Sequence, residues 1–129
     1  MSLSALIEDP HQLLQQLIVG EVLYKYYGGL NFEGITGGRH RRYFWLRPNT
    51  KVIYWHRENP QFFTNFTPAA RSITLGTVEE ISDRNPLPTA LYHRSIVIHG
   101  RERDIKITCP TQARHQVWLA ALQYIAQKD

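Results

Sequence analysis

Seven short runs of alternating residues, followed by one amphipathic run at helical spacing, leave this chain few ways to fold. The runs are Glu21 to Tyr27, Arg39 to Arg47, Lys51 to His56, Arg71 to Leu75, Thr77 to Ile81, Ser95 to His99 and Asp104 to Thr108. They are rich in aromatic and β-branched residues, which suit a pleated, half-buried surface. Turn signals separate them. Gly28-Gly29 and Gly37-Gly38 bracket a first loop, Pro48-Asn49-Thr50 makes a tight turn, and Gly76 a bend. Asn85-Pro86 and Pro88 mark another loop, and Gly100-Arg101-Glu102 turns the last hairpin. From Pro110-Thr111 onward, Val117, Trp118, Leu119, Ala121, Leu122 and Ile125 include an apolar stripe at helical spacing. Antiparallel strands leave two raw edges unless they close. The sequence therefore predicts a mainly β domain, a seven-stranded antiparallel barrel of two near-orthogonal sheets plugged by a C-terminal α-helix. The loops after the first, third and sixth strands would rim the open end. Glu58 to Ala70, with two Pro and no clear period, is a long connection.

Ahead of the barrel, Asp9-Pro10 is a helix start, with Asp as N-cap and Pro at the first helical position. Leu13, Leu14, Leu17 and Ile18 follow at helical spacing, and Gly20 ends the segment. Residues 1–19 are thus expected as a helical extension and 20–128 as the barrel domain.

Charge is the feature that bears on function. Arg39 to Arg57 carries six basic residues (Arg39, Arg41, Arg42, Arg47, Lys51 and Arg57) and no acid, in a chain whose net charge is +4. Acids gather at Glu79, Glu80 and Asp83. Such asymmetry points to an anionic partner on one side of the molecule: phospholipid, nucleic acid or acidic protein. The single Cys109 cannot close an intramolecular disulfide, so a reducing compartment such as the cytosol is expected. No apolar run reaches the ~20 residues of a membrane span, and no signal-peptide pattern opens the chain.

At this point the residues resemble a family. Gly20-Glu-Val-Leu-Tyr-Lys25, His40-Arg-Arg-Tyr-Phe-Trp-Leu46, Val52-Ile-Tyr-Trp55 and Trp118 look like the pleckstrin-homology (PH) signature. Arg39-His-Arg-Arg-Tyr-Phe-Trp45, Tyr54-Trp55, Asn85-Pro-Leu-Pro88 and Pro110-Thr-Gln-Ala-Arg-His115 with Trp118 are similar to a narrower group. That group is the PH domains ending fungal cortical anchor proteins of the nuclear-migration and meiotic cell-cortex type. The resemblance implies a phosphoinositide-binding module, with phosphatidylinositol 4,5-bisphosphate as the suggested lipid. It would sit peripherally on the cytoplasmic face of the plasma membrane, at the cell cortex. Other parts of a long, largely coiled-coil protein would there hold dynein for pulling on microtubules.

PH domains that bind inositol phosphates tightly place a basic residue late in strand one and a basic-x-Arg pair opening strand two. Those positions match Lys25 and His40-x-Arg42. Strand alternation puts 40, 42, 44 and 46 on one side, so the first two reach the mouth while Phe44 and Leu46 enter the core. Arg42 would fork onto one phosphate and Lys25 would act as a point charge beside it. Tyr54 would either donate its hydroxyl or serve in ordinary packing, and Arg71 would either close the far rim or stand as a solvated edge charge. His40 departs from the pattern, which has Lys or Arg there; a neutral imidazole weakens binding, makes it pH-sensitive, or shifts the work to Arg39. A frame slipped by one would make Arg39-x-Arg41 the pair, at the cost of taking Phe44 out of the core. Leu30, Phe32 and Ile35 in the first loop would either insert shallowly into the bilayer interface or fold back onto the barrel.

Rival functions fare worse. The six His show no metal-ligand spacing, and Gly37-Gly38 precedes a strand instead of a phosphate-cradling helix. Cys109 has no evident base. Neither catalysis nor a cofactor or metal is expected. A PH-like protein-interaction module without specific lipid binding is the alternative. Basic, aromatic strands can also stack nucleic-acid bases, but the family resemblance argues against that partner.

Overall fold

A computed structural model of the chain describes residues 2–26, 39–62, 70–82, 92 and 94–128. Two helices, α1 (Leu3–Glu8) and α2 (Pro10–Val19), lead into six strands. These are β1 (Glu21–Tyr26), β2 (Arg39–Arg47), β3 (Val52–His56), β4 (Arg71–Ser82), β5 (Arg94–Gly100) and β6 (Asp104–Thr108). A 3-10 turn at Pro60–Phe62 follows β3, and α3 (Gln112–Gln127) ends the order. Every strand is antiparallel to its neighbour, and β6 returns to β1 through Tyr24↔Thr108 and Lys25↔Ile107, closing the barrel.

Among the described residues six strands stand where seven were expected, because Gly76 bends a strand without ending it. The first part of β4, Arg71 to Thr74, pairs with β3, and the part from Leu75 onward pairs with β5. The register shifts between Leu75 and Thr77, and a Cβ at Gly76 would come within 2.5 Å of the His99 carbonyl oxygen. The backbone of β5 needs that space. One strand thereby serves both halves of the barrel, as a bulged corner does. β3 begins one residue later than expected, since Lys51 takes a left-handed φ of 55° to complete the turn from Pro48.

The N-terminal segment holds one helix more than expected. Ser2 caps α1 by accepting from the Ala5 amide, and Asp9 caps α2 by accepting from the Gln12 amide at 3.3 Å. Leu13 and Leu17 of α2 are buried in the same core as the barrel residues. Gly20 lets the chain leave α2 with φ 81°, where any side chain would collide with the Phe44 carbonyl.

The helix α3 starts where Thr111 accepts a hydrogen bond from the Arg114 amide. It buries Val117, Trp118, Ala121, Leu122 and Ile125. Trp118 is fully buried, with its ring edge-on to Phe44 at 6.5 Å; Phe44 in turn stacks on Trp55 at 5.8 Å. An aromatic column therefore runs through the core from the plugging helix to β3. Glu21, at the start of β1, locks the plugged end. Its carboxylate accepts from the Trp118 Nε1 at 2.6 Å and from Nε and Nη2 of Arg114, while Arg114 Nη1 reaches Gln16 of α2 at 3.3 Å.

Candidate functional site: the basic mouth of the barrel

Alternation decides which side chains can meet at the open end. Core residues Leu23, Phe44, Leu46, Ile53, Ile73 and Leu75 mark the inward positions of β1 to β4. By the same parity Lys25, His40, Arg42, Trp55 and Arg71 face inward as well. Trp55 belongs to the core itself, and the four polar residues occupy the strand ends beyond it. Register brings them together, because Lys25 is the Cα partner of His40 and Trp55 that of Arg71.

Trp55 forms the floor of this mouth. Its indole, 3 % exposed, has the Lys25 ammonium 5.5 Å from its ring centroid and the Arg103 guanidinium 5.3 Å away. Both distances suit cation–π attraction. Burial lowers the pKa of Lys25, and the charges of Arg103, Arg71 and Arg42 lower it further, in that order. Half-burying an ammonium beside three guanidinium groups is unfavourable unless an anion compensates it. Four cations from four different places in the chain thus act on one another at one end of the barrel.

Arg103 was not among the residues singled out from sequence. It lies in the β5–β6 turn, one of the three loops expected to rim the open end, and that topological rule was the available signal. Its presence at Trp55 depends on how the turn folds back. Glu102 in the same turn directs its carboxylate to β4, where it accepts from the Thr74 amide at 2.9 Å and the Thr74 hydroxyl at 3.0 Å.

Two of the expected site residues lie elsewhere. Tyr54 faces the opposite side of β3 from Trp55, where its ring stacks on Trp45 at 5.4 Å and 10°. The physical reason is parity, since with Ile53 and Trp55 inward the intervening tyrosine must point out. Arg39 is likewise on the outward parity of β2. Its guanidinium lies 4.8 Å from the Tyr26 ring centroid, and Lys106 lies 4.2 Å from the same ring. The Tyr26 hydroxyl meets the buried hydroxyls of Ser95 and Thr108 there. His40 keeps the expected inward parity and is exposed. Phe44 is fully buried, which rules out the slipped Arg39-x-Arg41 frame. Leu30, Phe32, Ile35 and the Asn85-Pro-Leu-Pro88 loop lie outside the described residues.

Cys109 is buried, and burial together with the nearby Glu21 pushes its thiol well above the usual range. Such a thiol is inert.

Comparison with known proteins places this geometry in context. The chain is 40% identical over 116 residues to the nuclear migration protein NUM1 of Saccharomyces cerevisiae, a match covering 90% of this chain and 4% of that protein. It is 34% identical over 123 residues to the anucleate primary sterigmata protein A of Emericella nidulans, covering 94% of this chain and 7% of that one. The chain therefore spans only a small part of the length of these relatives. Among solved structures it is similar to the PH domain of human oxysterol-binding protein-related protein 11, at TM-score 0.56 and 15% identity over 84% of this chain and 79% of that one. The carboxyl-terminal PH domain of pleckstrin is similar too, at TM-score 0.53 and 15% identity over 84% and 95% of the two chains. At those identities the likeness speaks to the fold alone. The family model described as meiotic cell cortex C-terminal pleckstrin homology matches residues 10–128, and with the plugged barrel already in view the conclusion is that this chain belongs to that PH family.

Proposed function

We propose that this domain is a phosphoinositide-binding module that targets a longer cortical anchor protein to the cytoplasmic face of the plasma membrane. The observation that carries the proposal is that Lys25 and Arg103 both stand over Trp55, with Arg71 and Arg42 near enough that their charges add to burial in lowering the Lys25 pKa. A phosphomonoester carries about −1.5 to −2 charges near neutral pH. Two such groups balance the four cations, which favours a bisphosphorylated head group such as that of phosphatidylinositol 4,5-bisphosphate. Arg42, Arg71 and Arg103 supply planar forks for phosphate oxygens, and Lys25 supplies a point charge at the floor. His40 stands across from Lys25 at the same rim. The association with dynein and microtubules belongs, on this reading, to other parts of the longer protein.

The test is sedimentation with vesicles of equal net charge. One set carries phosphatidylinositol 4,5-bisphosphate and the other enough phosphatidylserine to match. The expected outcome is strong pelleting with the first set only. Equal or absent pelleting with both would favour a protein-interaction module.

A further inference from the structure

The turn between β5 and β6 brings an acid to the rim of a basic mouth, in the sequence Gly100-Arg101-Glu102-Arg103-Asp104. An acid there opposes the binding of any polyanion unless it has a separate task. Its contacts indicate one. Thr74 lies in β4 at the point where the strand has run past the end of β5, whose last partner is Gly100 opposite Leu75. The backbone groups of Thr74 on that edge have no strand to pair with. The turn supplies substitutes: the Arg101 amide donates to the Thr74 carbonyl at 3.0 Å, and the Glu102 carboxylate takes the Thr74 amide and hydroxyl together. Within the turn, the Gly100 amide donates to the Arg103 carbonyl at 3.0 Å. The residue after Glu102 is the one whose guanidinium stands 5.3 Å from the Trp55 ring centroid.

We infer that Glu102 is a positioning residue, which clamps the β5–β6 turn to the unpaired edge of β4 at Thr74 and so holds Arg103 over Trp55 in the anion-binding mouth. The inference rests on the proposed head-group site. It reverses the expectation from charge alone. Removing an acid from a basic rim should strengthen binding by electrostatics, whereas releasing the clamp should weaken it, because Arg103 then pays ordering entropy when the anion binds.

Two substitutions separate these effects. Glu102→Ala and Glu102→Gln both remove the charge, but only Ala removes the clamp; the Gln amide still accepts from the Thr74 amide and donates to the Thr74 hydroxyl. With inositol 1,4,5-trisphosphate as the soluble probe, Glu102→Ala is expected to bind about 3- to 10-fold more weakly than the wild type. Glu102→Gln is expected to bind as well as the wild type or slightly better. If both variants tighten binding, or behave alike, the clamp is refuted. A second readout needs no ligand. The Nε–H proton resonance of Arg103, displaced by the Trp55 ring, should move toward its free-chain position in Glu102→Ala and stay in place in Glu102→Gln. An unmoved resonance in the Ala variant also overturns the inference. If the wild type binds no inositol phosphate, the proposed function fails, and the clamp is still judged by the resonance.

Discussion

The two ends of this barrel use charge in opposite ways. At the plugged end an acid and a base meet: Glu21 holds Arg114, and also Trp118, tying β1 to α3, while Arg114 reaches α2. At the open end four cations gather, and burial, with the charges of Arg103, Arg71 and Arg42 added to it, lowers the proton affinity of the Lys25 ammonium. The first arrangement is complete within the chain. The second, on the proposed function, receives its anion from outside the chain. Opposite charges paired across elements stabilise the fold, and like charges gathered at one end favour an anionic partner at some cost to stability.

The largest break in this contrast should come from Trp118→Ala. It removes a fully buried indole and the donor at 2.6 Å from Glu21. Urea unfolding should show a loss of about 3–5 kcal/mol, a large share of the ~5–15 kcal/mol that holds a domain of ordinary stability. A loss under about 1 kcal/mol would mean that the helix is not the plug described here.

Next in size is the double substitution Lys25→Ala with Arg42→Ala. Each charge-assisted bond is worth roughly 1.5–3 kcal/mol, so inositol 1,4,5-trisphosphate affinity should fall at least about 100-fold. The unfolding midpoint should move little. Retained affinity in calorimetric titration would show that the mouth is not the binding site.

A smaller effect of opposite sign sharpens the comparison. Lys25→Met should stabilise the ligand-free domain, by about 1–3 °C in unfolding midpoint once solvent screening is allowed for. The sign follows from linkage. Lys25 has a pKa below 10.5 in the fold, so the unfolded chain binds more protons between the folded value and 10.5, and stability rises with pH across that window. The Met variant should lose that rise. An unchanged or lower midpoint at neutral pH would show that the cations do not strain the mouth.

The smallest effect concerns a pair on the outer wall. His99 contacts Glu79 at 3.2 Å and Asp104 at 3.3 Å, and its pKa is raised, chiefly by the hydrogen bond to Glu79. A raised histidine contributes stability that is fully present below about pH 6.5 and lost as pH rises through the folded value. The loss should be a few tenths of a kcal/mol, because the pair is solvated. His99→Gln should flatten this part of the stability–pH curve, and an unaltered curve would remove the pair from the account.

Much of the molecule was legible from residue order, and the particular failures are instructive. The period-2 pattern of His40, Arg42, Phe44 and Leu46 identified the inward face of β2 correctly, because alternation is local geometry. The same rule applied to Tyr54 places it on the outer face of β3, since Trp55 beside it is the larger inward group. Gly76 was legible as a bend, but whether a bend ends a strand depends on the strands flanking it. The helix α1 escaped notice because its six residues carry too little periodicity to stand out.

By itself, the sequence determined the strand faces, the plugging helix and the basic character of strand two, all of which follow from local backbone geometry and side-chain chemistry. Only the tertiary structure decided that Arg103 joins Lys25 at Trp55, that Glu102 turns away onto Thr74, and that Arg39 and Tyr54 stand outside the mouth. Those outcomes depend on register and barrel closure, which bring residues some 30 to 80 positions apart into contact through pairings that no single segment specifies.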